Sequence, residues 1–209
     1  MVHARKTYCA RPVEAALLLN MKRAFTLVEI LIVVALVAML AAFLWPVFER
    51  MRSGRNKASC QSNLKQIGLG LMQYIRDYDE KWPPARATSL TGWSDVVMPY
   101  IKSEQIFQCP AWGRTDAQFS TDYFYNRRLS RVSLAVNKVP SATIMTGDGE
   151  GSAPTWNSWL KLPADAKTNS SSPAQRHTDG ANYGFADGHV KFFKPQLLAA
   201  QTKSNPFAP

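Results

Sequence analysis

From Ile30 to Phe48 the chain carries nineteen consecutive residues without a charge. As a helix, such a run reaches about 28 Å, close to the ~30 Å hydrocarbon core of a bilayer. Nothing comparable recurs after Phe48, so the 209-residue chain is expected to cross a membrane once at most. Short basic flanks stay cytoplasmic. Arg5, Lys6, Arg11, Lys22 and Arg23 precede the run, opposed only by Glu14. Arg50, Arg52, Arg55 and Lys57 follow it and reduce the asymmetry. The expected orientation keeps the N-terminus in the cytoplasm and the remainder outside.

Two residues do not suit a plain anchor. Glu29 sits at the start of the apolar stretch, and an ionisable group within a span is costly and by default functional. Pro46, near the other end, removes a backbone donor and bends a helix. A cleaved signal peptide fits poorly, because the run is long and ends in bulky Phe43-Leu44-Trp45-Pro46-Val47-Phe48. A single-pass signal anchor that never polymerises accounts for everything except Glu29.

The segment Ala24-Phe25-Thr26-Leu27-Val28-Glu29 resembles the processing site of type IV prepilins and type II secretion pseudopilins. That resemblance implies cleavage between Ala24 and Phe25 by a prepilin peptidase, and N-methylation of the Phe25 amine. It assigns Glu29 to subunit assembly and gives Pro46 a place where many such proteins carry a helix-bending proline. The family usually has Gly before the cut, and here the residue is Ala24. Residues 25 and 29 stand one helical turn apart, so the new amine is a natural partner for the carboxylate, on the same chain or on a neighbouring subunit. The implied partners are the peptidase, other pilin or pseudopilin subunits and an inner-membrane assembly platform. No cofactor and no catalytic residue is expected.

The organisation expected is a cytoplasmic leader at 1–24, a membrane and assembly helix at 25–48, a stalk continuation at 49–79 and a head at 80–209. A start at Met21 stands as an alternative, since Met21-Lys22-Arg23-Ala24 is itself a short basic leader. The fold class is α+β, with the stalk helix packed on a small antiparallel-sheet head of type IV pilin-like form. In the stalk, Leu64, Ile67, Leu71, Tyr74, Ile75 and Tyr78 recur at spacings of three and four and make one apolar stripe. Gly68 and Gly70 lower helix propensity, and their smallness suits close approach by another element. Residues 93–101 read as a short helix, 140–147 as a strand entering a turn, and 151–173 as a long loop.

Near the C-terminus, Asp187-Gly188 lies between two alternating runs and signals a hairpin over 182–193. A two-residue turn pairs Ala186 with His189, setting Phe185 opposite Val190 and Tyr183 opposite Phe192. His177 precedes Asp187 by ten positions. This His177-x9-Asp187-Gly188 pattern resembles one bacterial subgroup of prepilin-like proteins, as do Asn63-Leu64-Lys65-Gln66-Ile67-Gly68 and Cys109-Pro110.

Three cysteines are an awkward number for an exported chain, but Cys9 precedes the span. Cys60 and Cys109 remain, either as a disulfide or as two separate buried thiols. His177, Asp187 and His189 invite a metal site, with Asp148, Glu150 and Asp179 as further oxygen donors. Their spacing matches no zinc pattern, and Asp187 is already used by the turn. The structural alternative is that His177 ties a loop to the hairpin. No serine stands in a hydrolase-type strand–turn–helix context. Net charge is +10, and loss of residues before Phe25 leaves 20 basic against 14 acidic residues, or +6. That balance, with Trp93, Trp112, Trp156 and Trp159, admits a minor pilin that binds DNA or surfaces. Core packing is the plainer role for those rings, and nucleic acid is not an expected partner.

Overall fold

The structure, a computed structural model, describes residues 25–112, 120–202 and 205–209. Its order is α1 (Leu27–Asp77), α2 (Trp93–Ile101), β1 (Thr121–Asn126), β2 (Ile144–Ala153), β3 (Ser158–Trp159), β4 (Ala181–Phe185), β5 (Val190–Phe193) and α3 (Pro195–Thr202), with short 3₁₀ turns between. The chain divides into two compact units, one ending at Val47 and the other starting at Phe48. Cys9 and Ala24 lie outside the described residues.

In the first unit, α1 opens on a side-chain cap. Thr26 Oγ1 accepts a hydrogen bond from the Glu29 amide at 3.3 Å, and the Thr26 carbonyl accepts the first helical bond, from Ile30. Thr26 and Glu29 are spaced as in a capping box, and a carboxylate in the first turn complements the helix dipole. Phe25 precedes the helix rather than lying within it. All described residues here are solvent-exposed, and this is the one helix among them long and apolar enough to span a membrane.

In the second unit, the rest of α1 packs against a five-stranded mixed sheet ordered β3-β1-β2-β4-β5. The sheet is antiparallel apart from β3, a two-residue edge strand parallel to β1. Its direction follows from the turn at 154–157. That turn reverses the chain after β2, while the position beside β2 is already held by β1. Alternation then assigns the two faces. Tyr123, Tyr125 and Met145 join Cys60, Leu64, Ile67, Leu71 and Ile75 in the core beneath α1. Phe124, Ile144, Tyr183, Phe185 and Phe193 form a second cluster with Leu198 and Phe207. The apolar stripe of α1 is buried as its periodicity requires, except at Tyr78, which is 53% exposed and stacks on Tyr74.

Several elements differ from expectation. The strand expected at 140–147 is β2, and it continues to Ala153 into the region read as loop. The hairpin register is shifted by one residue. Tyr183 pairs with Lys191, Asn182 with Phe192 and Gly184 with Val190. The cause is Ala186: its amide donates to the Thr143 carbonyl on the β2 side and its methyl is buried beneath α1. The loop is therefore three residues, 186–188, closed by Phe185–His189 and Gly188–Phe185 backbone bonds, with Gly188 at φ 89°. This is the turn-plus-bulge alternative to a two-residue hairpin. It carries Phe192 away from Tyr183, to lie beneath the Lys57 ammonium.

Gly68 and Gly70 are where α1 approaches its neighbours. A methyl on Gly68 would meet only the flexible tip of Met145, at 2.6 Å. One on Gly70 would meet Ile101 and Val97, at 2.7 and 3.0 Å, both stiff β-branched side chains. Alanine gains roughly 1 kcal/mol of helix propensity at either site, and overpacking costs about 1–3 kcal/mol. Gly68→Ala is expected to leave stability within about 1 kcal/mol of wild type, and Gly70→Ala to lower it by about 1–2 kcal/mol. Denaturant unfolding of the two variants checks this order.

Candidate functional site

Beneath α1, four side chains from four parts of the chain converge. Cys60 lies one turn before Leu64 on the buried stripe and forms a disulfide with Cys109, 49 residues later. Cys109 follows the 3₁₀ turn Glu104–Phe107, and its amide donates to Asp122 Oδ2 at 2.7 Å. Asp148 stands on β2 opposite Tyr123, and its Oδ2 accepts the Asn182 amide at 2.7 Å. His177 Nε2 lies 3.3 Å from Asp148 Oδ2 and 3.7 Å from Cys109 Sγ. All four residues are buried, His177 at 3% exposure.

Local backbone geometry aims the histidine. Thr178 and Asp179 have φ of 55° and 69°, and the His177 amide donates to the Gly180 carbonyl at 2.8 Å. A β-branched residue in the left-handed region is an outlier, and such strain is tolerated where surrounding structure imposes it. The Thr178 hydroxyl lies 3.0 Å from that of Ser53 on α1. Arg176, which sequence reasoning overlooked, donates to the Asp122 and Gly149 carbonyls and lies over the Trp112 ring. It joins β1, β2 and the Cys109 segment from one side chain.

The nine-residue spacing of the His177/Asp187-Gly188 pattern corresponds to a turn plus strand β4. His177 stands before β4 and Asp187-Gly188 after it, separated by about 17 Å of extended chain. Asp187 Oδ1 instead contacts His189 Nδ1 at 2.6 Å and accepts its amide, within the hairpin loop. Asp179 faces Lys194 at 3.4 Å, and Glu150 is exposed on β2. The oxygen donors considered from sequence therefore disperse, and only Asp148 joins His177. The ring of His177 faces β2 and the disulfide, not the hairpin. Among the tryptophans, Trp93 is fully buried and Trp159 stacks on Phe124, while Trp112 is 44% exposed.

Tyrosines crowd the same interior. Tyr123 accepts a hydrogen bond from Asn63 Nδ2 at 3.1 Å. Burial, reinforced by the nearby Asp148 charge, raises its pKa far above the usual phenol value, as it does for Tyr183. Burial does the same for Tyr125.

A long N-terminal helix whose second part packs on an α+β sheet head is the type IV pilin-like architecture. Residues 19–45 match the family described as "Prokaryotic N-terminal methylation motif". Residues 52–115 match "Protein of unknown function (DUF1559)". No curated protein and no solved structure is significantly similar to the chain. With the methylation motif at its N-terminus and this fold behind it, the protein is type IV pilin-like.

Two outcomes are expected here. Closing a loop of this length contributes on the order of 4 kcal/mol. Replacing both Cys60 and Cys109 with alanine should therefore lower the head's thermal midpoint by about 10 °C, measured by circular dichroism. The phenol shifts act at high pH. A folded-state pKa above the unfolded value of ~10 leaves stability intact below pH 10. Stability then falls by about 1.4 kcal/mol per pH unit for each such phenol, because only the unfolded chain releases the proton. Tyr123→Phe should reduce that slope by one proton, read from denaturant midpoints between pH 9 and 11.

Proposed function

We propose that the protein is a prepilin-like structural subunit, cleaved between Ala24 and Phe25, N-methylated on Phe25 and assembled into a type IV pilus-like or type II secretion pseudopilus filament. The observation that carries this reading is the match of residues 19–45 to the methylation motif, on a helix apolar enough to span a bilayer. Before cleavage the subunit resides in the cytoplasmic membrane, basic leader inside and head outside. Prepilin peptidase makes the cut, and an inner-membrane platform with other pilin subunits receives the product. The chain has no enzymatic role of its own.

Cleavage supplies a cationic partner for Glu29. The new cationic amine and the carboxylate neutralise one another when subunits stack, which removes the cost of leaving Glu29 alone in an apolar medium. Pro46 deprives its helical turn of one backbone donor and makes that part of α1 the easiest to bend during packing. His177, Asp187 and Gly188 serve the head by fixing both ends of β4, in keeping with the subgroup pattern.

Mass spectrometry of chain extracted from membranes should give an N-terminal peptide beginning at Phe25 and one methyl group heavier than its sequence. A retained leader would instead mark an uncleaved anchor. Glu29→Gln should be processed normally yet be missing from sheared filaments. Its full incorporation would overturn the assembly role.

A further inference from the structure

We propose that the Cys60/Cys109/Asp148/His177 cluster, when its disulfide is reduced, is a tetrahedral site for one zinc-class divalent cation, so that disulfide and metal are alternative states of one buried site. The candidate ligand atoms, one from each residue, lie within 4.8 Å of one another. With bonds of ~2.0–2.1 Å to nitrogen or oxygen and ~2.3 Å to sulfur, tetrahedral zinc sets neighbouring ligand atoms about 3.3 Å apart for N···O, 3.6 Å for N···S and 3.8 Å for S···S. The two separations to His177 Nε2 are 3.3 Å to Asp148 Oδ2 and 3.7 Å to Cys109 Sγ. Both already match. The sulfurs must part, from a bond of ~2.05 Å, by about 1.7 Å, and the remaining separations, all within 4.8 Å, must settle to the same tetrahedral spacing.

A second observation points to a ligand. Asp148 is completely buried, and its Oδ1 has no hydrogen-bond partner among the described residues. Both contacts of the carboxylate, the His177 ring and the Asn182 amide, fall on Oδ2, so half of a buried anion is left without the pairing or cation that offsets its burial. In the reduced state two thiolates, a neutral imidazole and this carboxylate form a four-ligand donor set of the soft and borderline kind that zinc prefers. The Asn182 amide on Asp148 Oδ2 supplies the outer hydrogen bond that orients a ligating carboxylate. Two clefts of about 520 Å³ reach the cluster, one bordered by His177 and the other by Cys109.

The chemistry balances. A phosphine delivers two electrons to the disulfide and takes the oxygen of a water molecule, whose two protons complete the thiols. The cation then displaces those two protons to solvent. Glutathione disulfide reverses the change by thiol–disulfide exchange, restoring the Cys60–Cys109 bond, expelling the metal and releasing two glutathione thiolates that take two protons from solvent. A newly made chain passes through the dithiol state before export to an oxidising compartment. The inference does not depend on filament assembly.

The test uses the full chain in detergent, with Cys9→Ser so that only two thiols remain. After anaerobic phosphine reduction, native mass spectrometry should find one zinc per chain. Cobalt should give thiolate charge-transfer and tetrahedral ligand-field bands. The oxidised chain should take up neither metal, and glutathione disulfide should release one zinc per disulfide formed. His177→Ala and Asp148→Asn should each weaken zinc binding at least tenfold and alter the cobalt spectrum. The proposal is overturned if the reduced chain, with two titratable thiols, binds no zinc. It is equally overturned if the oxidised chain binds as much, or if His177→Ala leaves affinity and spectrum unchanged. The oxidised–reduced comparison needs no variant that risks misfolding.

Discussion

The head is organised by one contact, the burial of a single stripe of α1 against the sheet. Cys60, Leu64, Ile67, Leu71 and Ile75 present an unbroken apolar seam, and the strands offer Tyr123, Tyr125 and Met145 in return. Each leucine- or isoleucine-sized side chain contributes about 1.5–3 kcal/mol on complete burial. The glycines within the seam let β2 and α2 come close enough to exclude water. The disulfide lies at the start of this seam and ties the helix to the segment that leads into β1. The same packing that builds the core thus also brings sulfur, imidazole and carboxylate together.

The head has two kinds of polar interior. Around Tyr123, Tyr125 and Tyr183, neutral phenols are held in their protonated form by burial. Around His177 and Asp148, ionisable groups meet a disulfide with fewer hydrogen bonds than they could make. Arg176 bridges the two through backbone carbonyls on β1 and β2 rather than through a carboxylate. Its role is to fix chain segments against one another, which explains why a cation adjoins the histidine without pairing with the aspartate.

Periodic features were legible in the sequence. The α1 stripe, the helix from Trp93 to Ile101 and the presence of the C-terminal hairpin all follow from spacing or turn residues. The hairpin's register did not follow, because Asp-Gly suits both two- and three-residue loops. The choice is made by Ala186, whose amide is claimed by the Thr143 carbonyl just ahead of β2, a long-range pairing that local sequence does not reveal. Strand β1 was hidden for a related reason. Thr121–Asn126 is buried on both faces, so the alternation that marks a half-exposed strand is absent. The cluster was illegible because its members come from a helix, a loop, a strand and a turn. No short spacing records a meeting that only tertiary folding creates. The Asp187-Gly188 end of the pattern was read correctly as a turn, but its offset from His177 measures a strand rather than a shared site.

The cap at Thr26 has a consequence for any event upstream of it. Helical hydrogen bonding in α1 begins with the Ile30 amide on the Thr26 carbonyl, so Phe25 contributes no rung to the ladder. Removal of whatever precedes Phe25 would therefore break no hydrogen bond of α1. The rod begins where the scissors would finish, so trimming and rigidity do not compete.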